Sequence, residues 1–459
     1  MEFDPAFLSR VQFAFVISFH IIFPSFTIGL AAWLATIEGM RLATGNAIYR
    51  RVFEFWLKVF ALSFGMGVVS GIVMAFQFGT NWSVLAERAG SIQGPLLGYE
   101  GFTAFMLEAT FFGVMLLGRD RAPWFYFLSC CMVSLGTMLS SFWILANNSW
   151  MQVPLGHAII DGRIVPDDWW AITTGPIMRL RWPHMLLAAF LTSGMSIIAV
   201  GAWHLLRGTR VPEARVMLRW GVGLVALLVP VQMFFGHLTG ECVHRYQPAK
   251  FAAIEARWKT EQPATEVLIA IPDPWAERNL YALEVPKLGS FIASGTWDSR
   301  EVGLESFPPE DRPPVVIPFF SFRIMVGMGL IMLALSWLGF LLRLLGRLET
   351  TRWFLWAALL SFPSGFVAVL AGWFTAEVGR QPWVIYGLLR TKDAVTPSLT
   401  TGDVVLSLIG YIVVYAVIYS FGLYYIYRLL RDGPADKEAS PDTLTPAQPI
   451  SVALQSNRG

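Results

Sequence analysis

Nine times along this chain a run of mostly apolar residues is long enough to cross a bilayer: 11–37, 53–78, 96–117, 124–146, 184–206, 220–239, 319–342, 353–376 and 404–427. About 20 such residues span the hydrocarbon as a helix, which satisfies every backbone N–H and C=O within its own segment. The repetition predicts an all-α, polytopic membrane protein with nine transmembrane helices. Composition agrees: 55% of residues are hydrophobic and 14% charged, with 19 Trp and 35 Phe. That profile excludes an ordinary soluble enzyme. The first run is too long for a signal peptide, and Met1-Glu2-Phe3-Asp4 lacks the basic n-region one would need.

Charge is segregated by loop. Arg41, Arg50 and Arg51 fall in the first loop, Arg119 and Arg121 in the third, and Arg207, Arg210, Arg215 and Arg219 in the fifth. Arg343, Arg347 and Arg352 follow in the seventh, and Arg428 and Arg431 in the tail. By the positive-inside rule the N-terminus faces outward and the C-terminus the cytoplasm. The organisation expected is helices 1–6 over 1–240, an outer loop over 241–318, helices 7–9 over 319–431, and a disordered cytoplasmic tail over 432–459. The net charge of +2 does not point to nucleic acid, and no such partner is expected. Cys130, Cys131 and Cys242 are too few and too badly spaced for a disulfide frame or thiolate metal site. Gly67 and Gly71 form a GxxxG on the second helix, which reads as a close helix contact.

Polar residues inside the spans carry the chemistry, because each is costly there unless paired, solvated or bound to metal. His20 sits a third of the way into the first run, either bonded to a neighbouring helix or ligating a metal. Glu100 and Glu108 lie two turns apart on the third, roughly 12 Å along the axis and about 80° around it. They are either interhelical hydrogen-bonding acids or functional ones. His184 and Met325 begin the fifth and seventh runs on the same side of the membrane. A Met in a span is usually core. Opposite a histidine at one depth, it becomes a candidate for His/Met haem ligation. Glu377 stands where the eighth run ends, with Arg380 close by and Gly379 and Pro382 breaking the helix. That is either a snorkelling pair or a site.

The wording around Glu377, GWFTAEVGRQPWVIYGLLRT at 372–391, resembles the signature of subunit I of cytochrome bd-type quinol oxidases. So does QPAKFAAIEARW at 247–258, which is similar to the family's quinol-oxidising loop. The resemblance extends from His20 to about Arg431 and implies three haems. His184 and Met325 would hold the low-spin haem b, with Arg323 offsetting a propionate. His20 and Glu377 would each hold one oxygen-site haem, a high-spin haem b and a haem d (or a further haem b in its place). Which ligand holds which is left open. Trp373 would pack beside the macrocycles. Glu100 would sit at the oxygen-binding haem and Glu108 on a proton path from the cytoplasm, continued by Ser140 or Ser141. Lys250 and Glu255, on a short amphipathic helix expected to lie on the surface, would bind and deprotonate quinol. The activity implied is oxidation of quinol and reduction of O2 to water in a bacterial cytoplasmic (inner) membrane, generating proton motive force without pumping. A homologous second large subunit is implied, and a single-helix small one is left open. Two other readings stand beside it: a haem electron carrier that does not reduce oxygen, and a transporter whose acids bind ions. His204, His237 and His244 are given no role, and His157 is expected to be solvated.

Overall fold

A computed structural model describes residues 4–119 and 121–435 of the protein. The part of the expected tail beyond residue 435 therefore lies outside the described residues. Nine helices among those residues are long and apolar enough to cross a membrane. They are Pro5–Thr44, Ala47–Thr80, Ser83–Leu117, Pro123–Gln152, Met178–Arg207, Val211–Tyr246, Val316–Leu344, Arg352–Val378 and Thr401–Asp432.

Each outruns the apolar run that predicted it, because capping rather than hydrophobicity sets helix ends. Asp4 accepts a bond from the Ala6 amide ahead of Pro5, and Asn46 does the same for Ile48. Thr400 and Asp403 close a reciprocal capping box on the ninth helix. Gly45 and Gly208 end the first and fifth helices in the left-handed conformation, at φ of 67° and 66°. Two spans are irregular. The eighth breaks at Ser361–Pro363 into Arg352–Leu360 and Ser364–Val378, as its proline demands. The third contains a π-helical turn over Glu100–Phe105.

The central contact is among the first, second, fifth and sixth helices, where Leu30, Leu34, Ile37, Val52, Trp56, Phe60 and Met217 are fully buried or nearly so. Gly29 makes the approach possible, since a Cβ there would meet the Ala189 carbonyl oxygen at 2.5 Å. Gly67 and Gly71 both face the first helix, at Phe23 and His20, so the GxxxG is a close helix contact. Cys130 packs in the same core, next to Tyr126 and Val133.

One face of the bundle gathers the starts of the odd-numbered helices and the ends of the even-numbered ones. Asn81 donates to Ser9 at 3.2 Å and accepts from Gln12 at 3.4 Å, and the Leu85 amide bonds Ala394. A loop of residues 247–315 covers this side, called here the loop face. The sixth helix runs on to Tyr246, so the loop begins six residues later than expected. The opposite face holds the arginines of the odd-numbered loops, with Arg51 paired to Glu213, Arg119 to Glu54, and both Arg215 and Arg219 to Glu349.

The loop contains a helix at Pro248–Ile254, a hairpin of Glu266–Asp273 with Arg278–Val285, and a helix at Leu288–Ser294. The expectation of a surface helix is corrected here. Every residue from Ala249 to Ile254 is buried, packed by the hairpin on one side and the sixth and seventh spans on the other. Two smaller hairpins, His157–Ile160 with Arg163–Pro166 and Trp383–Ile385 with Leu389–Arg390, lie on the same face. His157, expected to be solvated, is half-buried, with its ring edge-on to Trp150 and Nδ1 enclosed.

Candidate redox site

A single cavity of about 1260 Å³ runs through the bundle to the loop face. Its lining includes His20, Glu100 and Glu108 at one end, His184, Met325 and Trp373 further on, and Lys250, Glu255 and Arg323 under the loop. Nine of the eleven candidate residues therefore share one wall, although they come from six different segments. Glu377 and Arg380 sit behind that wall.

His20 Nδ1 lies 3.0 Å from Ser70 Oγ, which itself bonds the Met66 and Gly67 carbonyls. Ser70 fixes the ring and leaves Nε2 for a ligand bond. Gly71 faces the ring, and a Cβ there would stand 3.0 Å from His20 Cε1. His184 is held less well. Its Nε2 is 3.4 Å from the side-chain nitrogen of Gln232, while His184 Nδ1 and Gln232 Oε1 are buried without partners. Gly236 lies against His184 Cε1, and Gly372 against Met325 Sδ. Both side chains thus rest on glycines, where a larger residue would push them into the cavity.

Glu100 begins the π-helical turn and accepts a bond from Ser140 Oγ at 2.7 Å. The straight-helix angle expected between Glu100 and Glu108 no longer holds, because the turn adds a residue between regular segments. Glu108 is buried against Gly136, with Oε1 unpartnered. Ser140 serves Glu100 rather than Glu108. Ser141 instead donates to the Met138 carbonyl and accepts from Trp182 Nε1.

Glu377 lies in a closed polar knot. Its Oε1 accepts from Asn148 at 3.0 Å and Gln152 at 3.1 Å, and Oε2 pairs with Arg380. Asn148 is held in turn by Arg181 Nη1 at 2.6 Å. Lys250 joins the same knot, its Nζ donating to Gln152 Oε1 at 3.0 Å, Gln247 Oε1 at 3.3 Å and the Ala376 carbonyl at 2.9 Å. Burial drives the Lys250 ammonium well below its usual pKa, and the Arg181 and Arg380 charges lower it further against the opposing pull of Glu377. Lys250 is thus an interior side chain rather than, as was expected, one on a surface helix.

Glu255 points elsewhere. Its Oε2 is 3.2 Å from Arg323 Nη2, and Glu266 Oε1 is 3.6 Å from the same nitrogen. Arg323 also donates to the Ile254 carbonyl at 2.9 Å, to Leu268 at 3.0 Å and to Val267, with Phe319 beneath it. The arginine expected to offset a propionate is thus engaged in pinning the hairpin and loop helix to the seventh span.

Sequence reading missed Asn148, Gln152, Arg181, Gln232 and Glu266. Asn148 and Gln152 are spaced i, i+4 at a span end, a signal of one shared polar face. Glu266 gave none, since only the hairpin brings it to Glu255.

A family model described as cytochrome bd terminal oxidase subunit I matches residues 8–434. This chain belongs to that family. It is a multi-pass membrane subunit of a terminal oxidase, an oxidoreductase of respiratory chains whose family carries haem. Among its relatives, cytochrome bd ubiquinol oxidase subunit 1 of Bacillus subtilis (strain 168) is 35% identical, covering 97% of each chain. Cytochrome bd-II ubiquinol oxidase subunit 1 of Escherichia coli (strain K12) is 33% identical over 95% of this chain and 98% of its own. The solved structure of the bd oxidase from Geobacillus thermodenitrificans superposes with a TM-score of 0.86 at 26% identity, over 94% of this subunit and 100% of that chain.

The residues fit haem. The described residues hold no cluster of three His, Cys, Asp or Glu that would bind a bare metal ion. Haem iron needs only one or two axial protein ligands. His20 with a free Nε2, and His184 with a buried unpartnered nitrogen, offer them.

Proposed function

We propose that this subunit oxidises quinol at the loop face and reduces O2 to water within the bundle. The observation that carries the reading is the single cavity joining Lys250, Glu255 and Arg323 to His184 and Met325 and on to His20, Glu100 and Glu108. Two quinols give four electrons and four protons, and one O2 takes up four of each to form two waters. The bound haems supply the one-electron transfers and the oxygen chemistry.

His184 and Met325, which line the same cavity, would hold a low-spin haem b, a ligand pair that favours electron transfer over ligand binding. His20 and Glu377 would hold the oxygen-site haems, a high-spin haem b and a haem d or further haem b. Arg380 pairs with Glu377 Oε2, while Asn148 and Gln152 donate to Oε1 and fix the carboxylate that would hold the group. Trp373, on the cavity wall, would pack beside the macrocycles. Glu100, steadied by Ser140, would hand protons to oxygen. Glu108, nearer the opposite face, would receive them.

The arginines gathered on the face opposite the loop support a cytoplasmic assignment for that side. The loop and the N-terminus would then face outward from the bacterial inner membrane. Quinol protons released outside and oxygen protons drawn from inside would separate charge without pumping. The ninth helix turns Leu406, Ile409, Val413, Val417 and Phe421 outward, each more than half exposed. That face suits lipid or a homologous second large subunit, and a single-helix small subunit is compatible with the remaining surface.

A reduced-minus-oxidised absorption spectrum of the purified oxidase, with quinol-dependent oxygen consumption, tests the reading. Low-spin and high-spin signals with oxygen uptake are expected. A low-spin signal alone would make the subunit an electron carrier, and no haem signal would leave a transporter.

A further inference from the structure

Glu255 and Glu266 meet under the hairpin, Glu255 Oε2 and Glu266 Oε1 lying 3.2 Å and 3.6 Å from the same Arg323 Nη2, both buried and both on the cavity wall. Two carboxyl groups that close cannot both stay ionised, so the pair shares one proton. The charged groups around Glu266 are few. Glu255 reaches it from the end of the loop helix, Arg257 from just beyond, and Arg323 from the seventh span. One proton on two carboxyls leaves a single negative charge between the Arg323 guanidinium, which faces both, and the buried Arg257.

Resting on quinol oxidation at this face, we infer that Glu266 is a proton-holding partner of Glu255, losing its proton to water on the loop side as Glu255 takes one from quinol. In that step a quinol O–H bond breaks, its proton bonds to Glu255, and the electrons leave for the haem chain. Glu266 gives its own proton to water, and the pair returns to one proton in total. A lone carboxylate would have to empty between the two deprotonations of each quinol. A coupled pair keeps one base ready throughout, and Arg323 holds the charge of the pair constant. Burial, followed by the Glu255 charge and hydrogen bond, pushes Glu266 well above the ordinary carboxyl range.

The test is Glu266→Gln in the whole oxidase complex, compared with Glu266→Asp and wild type. The amide keeps the contact with Arg323 but cannot release a proton. Quinol turnover should fall by about tenfold or more. The alkaline limb of its pH profile should move, and Glu266→Asp should recover part of the rate. Haem spectra, and oxygen consumption driven by an artificial donor that reduces the haems directly, should stay within about twofold. Wild-type quinol turnover and pH profile in Glu266→Gln would make Glu266 a mere clamp for Arg323. Parallel loss of haem or bypass activity would also overturn the inference. Absence of quinol-dependent oxygen uptake in the wild type would instead sink the reading on which it rests.

Discussion

Lys250 Nζ donates to the carbonyl oxygen of Ala376, the residue before Glu377, at 2.9 Å. Gln152 closes the link, accepting from Lys250 and donating to Glu377. The lysine of the loop helix and the carboxylate of the eighth span are thus two hydrogen bonds apart, so removing one disturbs a partner of the other.

Lys250→Met removes the donor for Gln152 Oε1, Gln247 Oε1 and the Ala376 carbonyl in a buried site. Stranding such acceptors costs about 1–3 kcal/mol. Thermal stability in detergent should drop, and the oxygen-site haem bands should shift together with the loss of quinol turnover. An unchanged spectrum with quinol activity alone lost would mean that Lys250 acts only on substrate.

His184→Leu or Met325→Leu should remove the low-spin haem b bands and leave much of the high-spin spectrum. Gly236 and Gly372 back these side chains, so the new leucines find room without disturbing the bundle. Equal loss of every haem from a folded protein would count against the pair.

Glu108→Gln keeps the shape and hydrogen bonding of the side chain but cannot carry a proton. Its Oε1 has no partner to substitute for it. Oxygen consumption should fall by about 10²-fold or more with haem content intact. Normal turnover would leave Glu108 structural.

Glu377→Ala strands Arg380, whose Nε and Nη1 already lack partners. Breaking a buried pair in this way costs about 3–5 kcal/mol. Thermal stability should fall along with the oxygen-site haem signal and turnover. Surviving oxygen consumption near the normal rate would show that Glu377 binds no catalytic iron.

The Glu266 carboxyl, raised from 4.5 to about 9, makes loop stability depend on pH. Between those values the folded loop holds a proton that the unfolded loop has lost. Its contribution is therefore full at the acid end and is lost as pH rises toward 9. Proteolysis of the loop should accelerate over that range in wild type, and the acceleration should flatten in Glu266→Gln. An identical pH response in both would refute the shared proton.

The bundle was legible because nine apolar runs leave a chain little else to do. His184, His20 and the two third-span acids stood out because polar atoms in hydrocarbon do so singly, Met325 only by its depth opposite His184, and the structure brings all five to one cavity. The neighbours of Glu377 were less so: Asn148 and Gln152 are ordinary at a helix end until Arg181 and Lys250 are seen to converge on them. The loop helix was misread because apolar spacing at 251, 254 and 258 shows one buried side and says nothing about a hairpin folding over the other. Lys250 then looked like a surface cation when it is an interior one.

The π-helical turn at Glu100 makes the third span behave as two rods sharing one hinge of register. The wider turn absorbs a residue that an unbroken α-helix could carry only by rotating everything beyond it by about 100°. A one-residue insertion between that turn and Glu108, in an apolar stretch of unremarkable composition, would find no such relief: Glu108 would swing off the cavity wall while Glu100 stayed.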